Sequence, residues 1–294
     1  MPRDTAHDDV MRSTRRKFIR AGLGCVAGFS LGPVLSGCKT MKIDPPADSI
    51  GFQLYTVRGE FSRDVPGTLK RLAEIGYKAV EFWDYGGTPK VYKDYTAQDL
   101  RKFLDDFGLK CCGMHLQLKA LDKENLARTV ETNQTLGSEF LNLAAAKKEM
   151  GTEGGIAGLA DILNRTATEI KKDKLAVGYH AHPFDFEKIK SRFAWELLFE
   201  KLLPEVNMQM DVGNCLSGNG DPVAMLKEFP GRTRTIHIKE HKDKTFESDY
   251  YKEVFLLCET VSHTKWYIVE MGGTLGNGFK VPEEALEKLH RLGK

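Results

Sequence analysis

Residues 78–118 read KAVEFWDYGGTPKVYKDYTAQDLRKFLDDFGLKCCGMHLQL. The stretch opens on a short run, 78–83, rich in apolar and aromatic residues, as a strand buried on both faces would be. After a turn-rich segment, Thr96 is placed as an N-cap for a helix over 96–107, and Gly108 stops it. A second run, 109–118, is again strand-like. Strand, helix and strand joined by short connections predict a parallel βαβ unit.

The same alternation extends in both directions. Strands are predicted at 50–57, 140–145, 175–182, 207–212, 233–239 and 266–271. Helices are predicted at 64–75, 125–136, 156–172, 195–203, 222–229, 250–260 and 282–292. Gly76 and Gly137 act as helix stops, and Asp221 before Pro222 as a cap and first-turn pair. Eight strand–helix units in residues 49–294 predict a closed (β/α)₈ TIM barrel, α/β in class. No G-x-G-x-x-G follows the first strand, so a dinucleotide-binding sheet lacks its fingerprint.

The first 48 residues read differently. Ser13-Thr14-Arg15-Arg16-Lys17-Phe18-Ile19-Arg20 resembles a twin-arginine export signal. A glycine-rich, weakly apolar stretch follows, too short for a comfortable membrane span. Leu35-Ser36-Gly37-Cys38 resembles a lipobox, which implies a lipid on Cys38 and a protein held on a membrane without crossing it. The expected organisation is a signal region at 1–38, a tether at 39–48 containing Pro45-Pro46, and a catalytic barrel at 49–294. The expected location is the periplasm, with the outer membrane preferred because Lys39, not aspartate, follows Cys38.

Composition narrows the partners. The chain has 43 basic and 41 acidic residues, a balance that argues against nucleic acid as a partner. Six cysteines show no C-x-x-C spacing, so a zinc ribbon is a poor reading. Cys111 and Cys112, as strand neighbours, should point to opposite faces. A homo-oligomer is left open.

Polar residues fall near the predicted strand ends, where a TIM barrel carries its active site. They are Glu81, His115, His180 and His182, Asp211, His237 and Lys239, and Glu270. Residues two apart share a face, so His180 and His182 point the same way, as do His237 and Lys239. Alone, each has an ordinary explanation: a core histidine satisfied by hydrogen bonds, or an aspartate capping a turn. Together, three carboxylates and up to four imidazoles converging on one mouth point to a shared divalent metal. Such a donor set suits Mn²⁺ or Zn²⁺, with Co²⁺, Fe²⁺ or Mg²⁺ as alternatives.

These motifs resemble the sugar phosphate isomerase/epimerase family with a xylose isomerase-like TIM barrel, whose fold is shared with endonuclease IV. The resemblance rests on Gly76-Tyr77-Lys78-Ala79-Val80-Glu81, His180-Ala181-His182-Pro183-Phe184, Met210-Asp211-Val212-Gly213-Asn214, His237-Ile238-Lys239 and Val269-Glu270. It implies metal ligands at His180, Asp211, His237 and Glu270, with His180 or His182 open as the strand-five ligand. It also implies one departure: the family's epimerases usually carry glutamate at the strand-five position, where this chain has His180.

The resemblance further implies proton abstraction beside a carbonyl of a non-phosphorylated sugar or sugar derivative, in an isomerase- or epimerase-like reaction. Glu270, His182 and Glu81 are the candidate bases, and Lys239 is the candidate stabiliser of the developing enediolate. His115, Trp83 and Phe184 are candidate substrate contacts. A lyase or hydratase acting on 3-keto-glycosides is the near alternative. An endonuclease IV-type hydrolase and a non-catalytic sugar-binding lipoprotein are more distant ones.

Overall fold

The computed structural model describes residues 49–272 and 278–294. The twin-arginine segment, the Cys38 lipobox and the 39–48 tether lie outside them. Eight parallel strands close into a barrel. They are numbered here β1 (Ile50–Gln53), β2 (Ala79–Tyr85), β3 (Lys110–Leu116), β4 (Phe140–Leu143), β5 (Ala176–His180), β6 (Asn207–Asp211), β7 (Thr235–Ile238) and β8 (Trp266–Val269). Each strand pairs with its neighbour in the sequence, and β8 returns to β1 through Ile50↔Tyr267, Gly51↔Ile268 and Phe52↔Val269. The expected (β/α)₈ barrel is the observed fold, and closure leaves it no open sheet edge.

Local chemistry starts and stops the helices between strands. Asp64 accepts the Gly67 N–H at 2.9 Å ahead of Val65–Ile75. Thr96 and Asp99 form a reciprocal capping box for Ala97–Phe107. Gly108 and Gly137 end their helices at φ 69° and 73°, in the left-handed region that glycine enters without strain. The main core lies between strands and helices; Leu69, Leu100, Leu163 and Trp195 are fully buried there. Each such side chain contributes about 1.5–3 kcal/mol relative to exposure.

Seven of the eight strands end one to four residues earlier than the sequence suggests, and two of these ends have a visible cause. β1 stops at Gln53, and Leu54–Val57 turns into a 3-10 helix. The Gln53 carboxamide caps that turn by accepting the Tyr55 N–H at 3.1 Å, while Leu54 and Val57 are buried. The apolar composition here serves packing, not extension. β5 stops at His180 because Pro183–Phe186 forms another 3-10 turn, held by Asp185 Oδ2 accepting the His182 N–H at 2.7 Å.

The barrel interior changes character from floor to mouth. At the floor, Ala79, Cys112, Phe140, Trp266 and Ile268 form an apolar plug. Cys111 packs instead in the outer core, so the two neighbouring cysteines do face opposite sides. All four described cysteines are free and buried. Two residues beyond Ala79 and Phe140 stand Glu81 and Asn142, where the interior turns polar.

Candidate metal centre at the barrel mouth

Glu81, on β2, is fully buried. Its Oε2 accepts Gln53 Nε2 at 2.8 Å and lies 2.6 Å from His237 Nε2 and 3.2 Å from His115 Nε2. Its Oε1 accepts Gln209 Nε2 at 2.9 Å and Asn142 Nδ2 at 3.4 Å. Burial alone would raise the pKa of this carboxyl, but His115, His237 and the bond from Gln209 outweigh it and bring it to about 2. Gly113, paired with Glu81 across the β2–β3 ladder, leaves room for it, since a Cβ there would collide with Glu81 Oε1. Glu81 therefore joins the cluster on its inner side, with both oxygens engaged.

Above it, β5, β6, β7 and the end of β8 bring His180, Asp211, His237 and Glu270 together. One ligand-type atom from each lies within 4.8 Å of the others. His180 Nε2 is 3.6 Å from both Asp211 Oδ2 and Glu270 Oε2. His237 Nδ1 is 3.0 Å from Glu270 Oε2 and 4.0 Å from Asp211 Oδ2. Only Glu270 among these side chains retains slight exposure, 12%.

The two nitrogens of His237 do different work. With Nε2 donating to Glu81, the Nδ1 lone pair faces the Glu270 carboxylate. Two acceptors 3.0 Å apart need a proton or a cation between them. In the protein alone the proton is held: burial opposes the imidazolium, but Glu81 and Glu270 raise the pKa of His237 to about 10. A carboxylate behind a histidine, fixing its tautomer and orientation, is the usual outer partner of a metal-ligating imidazole.

Asp211 serves two purposes. Its Oδ1 caps the short helix Val212–Ser217 by accepting the Asn214 N–H at 2.7 Å. Its Oδ2 is buried and faces the Lys239 ammonium at 3.2 Å, while both ring nitrogens of His180 are buried without a hydrogen-bond partner. Buried polar atoms are rarely left this way unless an ion or water completes them. Bonds of about 2.0–2.2 Å to a divalent ion would hold its ligand atoms roughly 3–3.5 Å apart. The observed separations are close to that range, and two imidazoles with two carboxylates form a borderline donor set. The residues present fit a divalent metal.

A cation of the protein's own already stands beside them. Lys239 Nζ lies 3.2 Å from Asp211 Oδ2, 3.7 Å from Glu270 Oε2 and 3.1 Å from Asn214 Oδ1. Burial favours the neutral amine, yet Asp211 and Glu270 hold its pKa above the ordinary lysine value. Gly213 makes room for this side chain: a Cβ there would come within 2.9 Å of three of its carbons.

Of the remaining expected site residues, His115 and His182 adjoin the cluster, Phe184 stacks on His182, and Trp83 packs among other aromatic rings. His115 stacks on His237 with ring centroids 5.1 Å apart and bonds to Gln209 at 2.7 Å; burial lowers its pKa to about 4. His182 lies further out, edge-on to His180 and stacked on Phe184 at 5.2 Å. Burial lowers its pKa to about 3, and its Nδ1 has no hydrogen-bond partner. Trp83 is half-buried, in contact with Tyr55, Phe61 and Tyr92. Of the two strand-five histidines, the geometry brings His180, not His182, into the ligand set.

Sequence reading passed over Gln53, Asn142, Asn207 and Gln209, and gave Asn214 no role beyond its place in the Met210–Asn214 motif. A signal existed for two of them. Asn207-Met208-Gln209-Met210-Asp211 alternates polar and apolar residues, placing Asn207 and Gln209 on the face of Asp211. Gln53 and Asn142 are single polar residues in apolar runs, and nothing local connects them to Glu81.

A family model described as the xylose isomerase-like TIM barrel matches residues 69–290. No curated protein matches the sequence. A sugar phosphate isomerase/epimerase from Parabacteroides distasonis superposes with TM-score 0.72 at 24% identity, over 87% of this chain and 97% of that one. A 3-keto-D-glucoside 4-epimerase from E. coli gives 0.60 at 12% identity, over 83% and 99%. D-psicose 3-epimerase in the presence of D-fructose gives 0.58 at 12% identity, over 83% and 97%. At such identities the likeness is one of fold.

Proposed function

The chain belongs to the xylose isomerase-like TIM barrel family, and from that premise we propose a divalent-metal-dependent enzyme that removes a proton beside a carbonyl of a non-phosphorylated sugar. Its reaction is of the isomerase or epimerase type. The observation that carries this reading is the buried Nε2 of His180, which has no hydrogen-bond partner and stands 3.6 Å from both Asp211 Oδ2 and Glu270 Oε2 at the barrel mouth. His180, Asp211, His237 and Glu270 would hold Mn²⁺ or Zn²⁺. When bound, the ion polarises a carbonyl and a neighbouring hydroxyl and so acidifies the hydrogen between them.

The chain's own residues supply the rest. Glu270, the partly exposed carboxylate of the set, takes the proton. His182, kept neutral by burial, offers its unpaired Nδ1 to a substrate hydroxyl or to a second proton transfer. Lys239 brings positive charge to the oxygen where negative charge develops. Glu81 acts through His237 and His115 as a positioning residue, since neither of its oxygens is free. His115, Trp83 and Phe184 border the substrate.

One observation favours a second reading. Asp211 and Glu81 are fully buried, so Glu270 is the single partly exposed carboxylate among the three. One base suffices to enolise a 3-keto-glycoside and expel its aglycone, whereas epimerisation exchanges a proton on two faces. Export by the twin-arginine segment and anchorage at Cys38 belong to the same proposal, and favour free sugars or glycosides over phosphorylated ones.

The test is NMR of the metal-loaded protein in D₂O with free sugars and with 3-keto-glycosides. Deuterium entering a carbon next to the carbonyl supports enolisation, and release of the aglycone selects the lyase. No exchange with any substrate despite bound metal would sink the mechanism for that panel and shift weight to a hydrolase or a sugar-binding protein.

A further inference from the structure

The turns at one end of the barrel carry an excess of basic residues. Residues 49–294 carry 35 basic and 36 acidic side chains, so the domain is close to neutral. The turns that lead from each helix into the next strand all lie on the floor, opposite the metal centre. They comprise residues 77–78, 109–110, 138–139, 171–175, 201–206, 230–234 and 264–265. These turns contain nine basic residues and only three acidic ones, Glu139, Asp173 and Glu205. Glu139 and Glu205 pair with Lys265 and Lys171. Lys78, Lys172 and Lys174 are exposed and have no ion-pair partner among the described residues.

An exposed apolar side chain stands at the same end. Three large hydrophobic residues are exposed among those described: Tyr55, Leu203 and Leu256. Leu203 lies in a floor turn, Tyr55 lies at the mouth, and Leu256 lies on the helix Asp249–Leu257, which runs on through Ser262 before the floor is reached. Lysines beside an exposed leucine match an anionic phospholipid surface, where each basic residue near the headgroups adds binding and an apolar side chain can enter the interface.

We propose that the floor of the barrel docks on an anionic lipid bilayer, with the mouth turned away toward soluble substrate. The chain enters the barrel at Ser49, on this floor. Only residues 39–48 separate it from the lipobox cysteine, a length that spans at most about 36 Å. The orientation during catalysis rests on the reading of Cys38 as lipidated; the affinity of the floor does not, and the test removes the anchor.

The full chain carrying Cys38→Ser is sedimented with phosphatidylglycerol vesicles and with phosphatidylcholine vesicles at low and high salt. Binding to the first kind, lost at high salt, is expected. Lys78→Glu, Lys172→Glu and Lys174→Glu together should weaken it at least about tenfold. The same reversal at the mouth-side residues Lys90, Lys123 and Lys188 should leave it nearly unchanged. Equal losses in both variants, no loss in either, or tighter binding to duplex DNA than to vesicles would overturn the proposal. Should the floor variant fail to fold by circular dichroism, lysine acetylation of the vesicle-bound chain decides. Protection of Lys78, Lys172 and Lys174 with Lys90 and Lys123 reactive supports docking; uniform or reversed protection refutes it.

Discussion

Glu81 Oε2 stands 2.6 Å from His237 Nε2, so a carboxylate from β2 sets which nitrogen of a β7 imidazole faces the mouth. Glu81→Gln removes the charge that keeps Nε2 as donor. We expect divalent-metal affinity to fall about 10–100-fold, read by calorimetric titration with Mn²⁺ or Zn²⁺. Unchanged affinity would show that Glu81 serves the fold alone.

His180 and His182 should separate by readout. His180→Ala takes away a member of the four-residue set and should abolish stoichiometric metal by elemental analysis. His182→Ala should keep the metal and lower turnover by about 10²–10⁴-fold if His182 transfers a proton. The reverse pattern would move the strand-five ligand to His182.

Lys239 should behave as the resident counter-cation of Asp211 and Glu270. Lys239→Met leaves two buried carboxylates without it. The metal-free protein should lose about 3–5 kcal/mol of stability, and saturating Mn²⁺ should restore more of it than in the wild type. Thermal melts with and without metal measure both. Equal gains from metal in the two proteins would contradict the counter-cation role.

Asp185 gives a pH dependence of stability. Burial, against the opposing bonds from the His182 N–H and the Tyr179 hydroxyl, raises its pKa from 3.8 to about 7. The folded state thus holds a proton that the unfolded chain releases. Its contribution is full below pH 4 and is lost as pH rises through 7, by roughly 2–4 kcal/mol. Denaturant melts of Asp185→Asn should lack this decline relative to the wild type. Parallel profiles would show that Asp185 is ionised throughout.

Local pattern was enough for the number and order of strand–helix units, the caps at Thr96 and Asp221, the stops at Gly108 and Gly137, and the residue types at the strand ends. These features depend on periodicity and on neighbours within one turn. Where β1 and β5 stop was less legible, because a side-chain cap from Gln53 or Asp185 outweighs an apolar run that looks extended. The candidate site divides in the same way. Strand-end placement in the sequence marked His180, Asp211, His237 and Glu270 along with Glu81, His115, His182 and Lys239, and the family resemblance singled out the four as ligands. Only closure of the barrel could seat Glu81 behind His237, 156 residues away, set Lys239 against Asp211, and give Glu81 its amide partners from β1, β4 and β6. A strand's pattern states which face a side chain occupies; what it meets there is decided by the strands brought alongside, and with it whether a buried charge is paired, orphaned or ready for a metal.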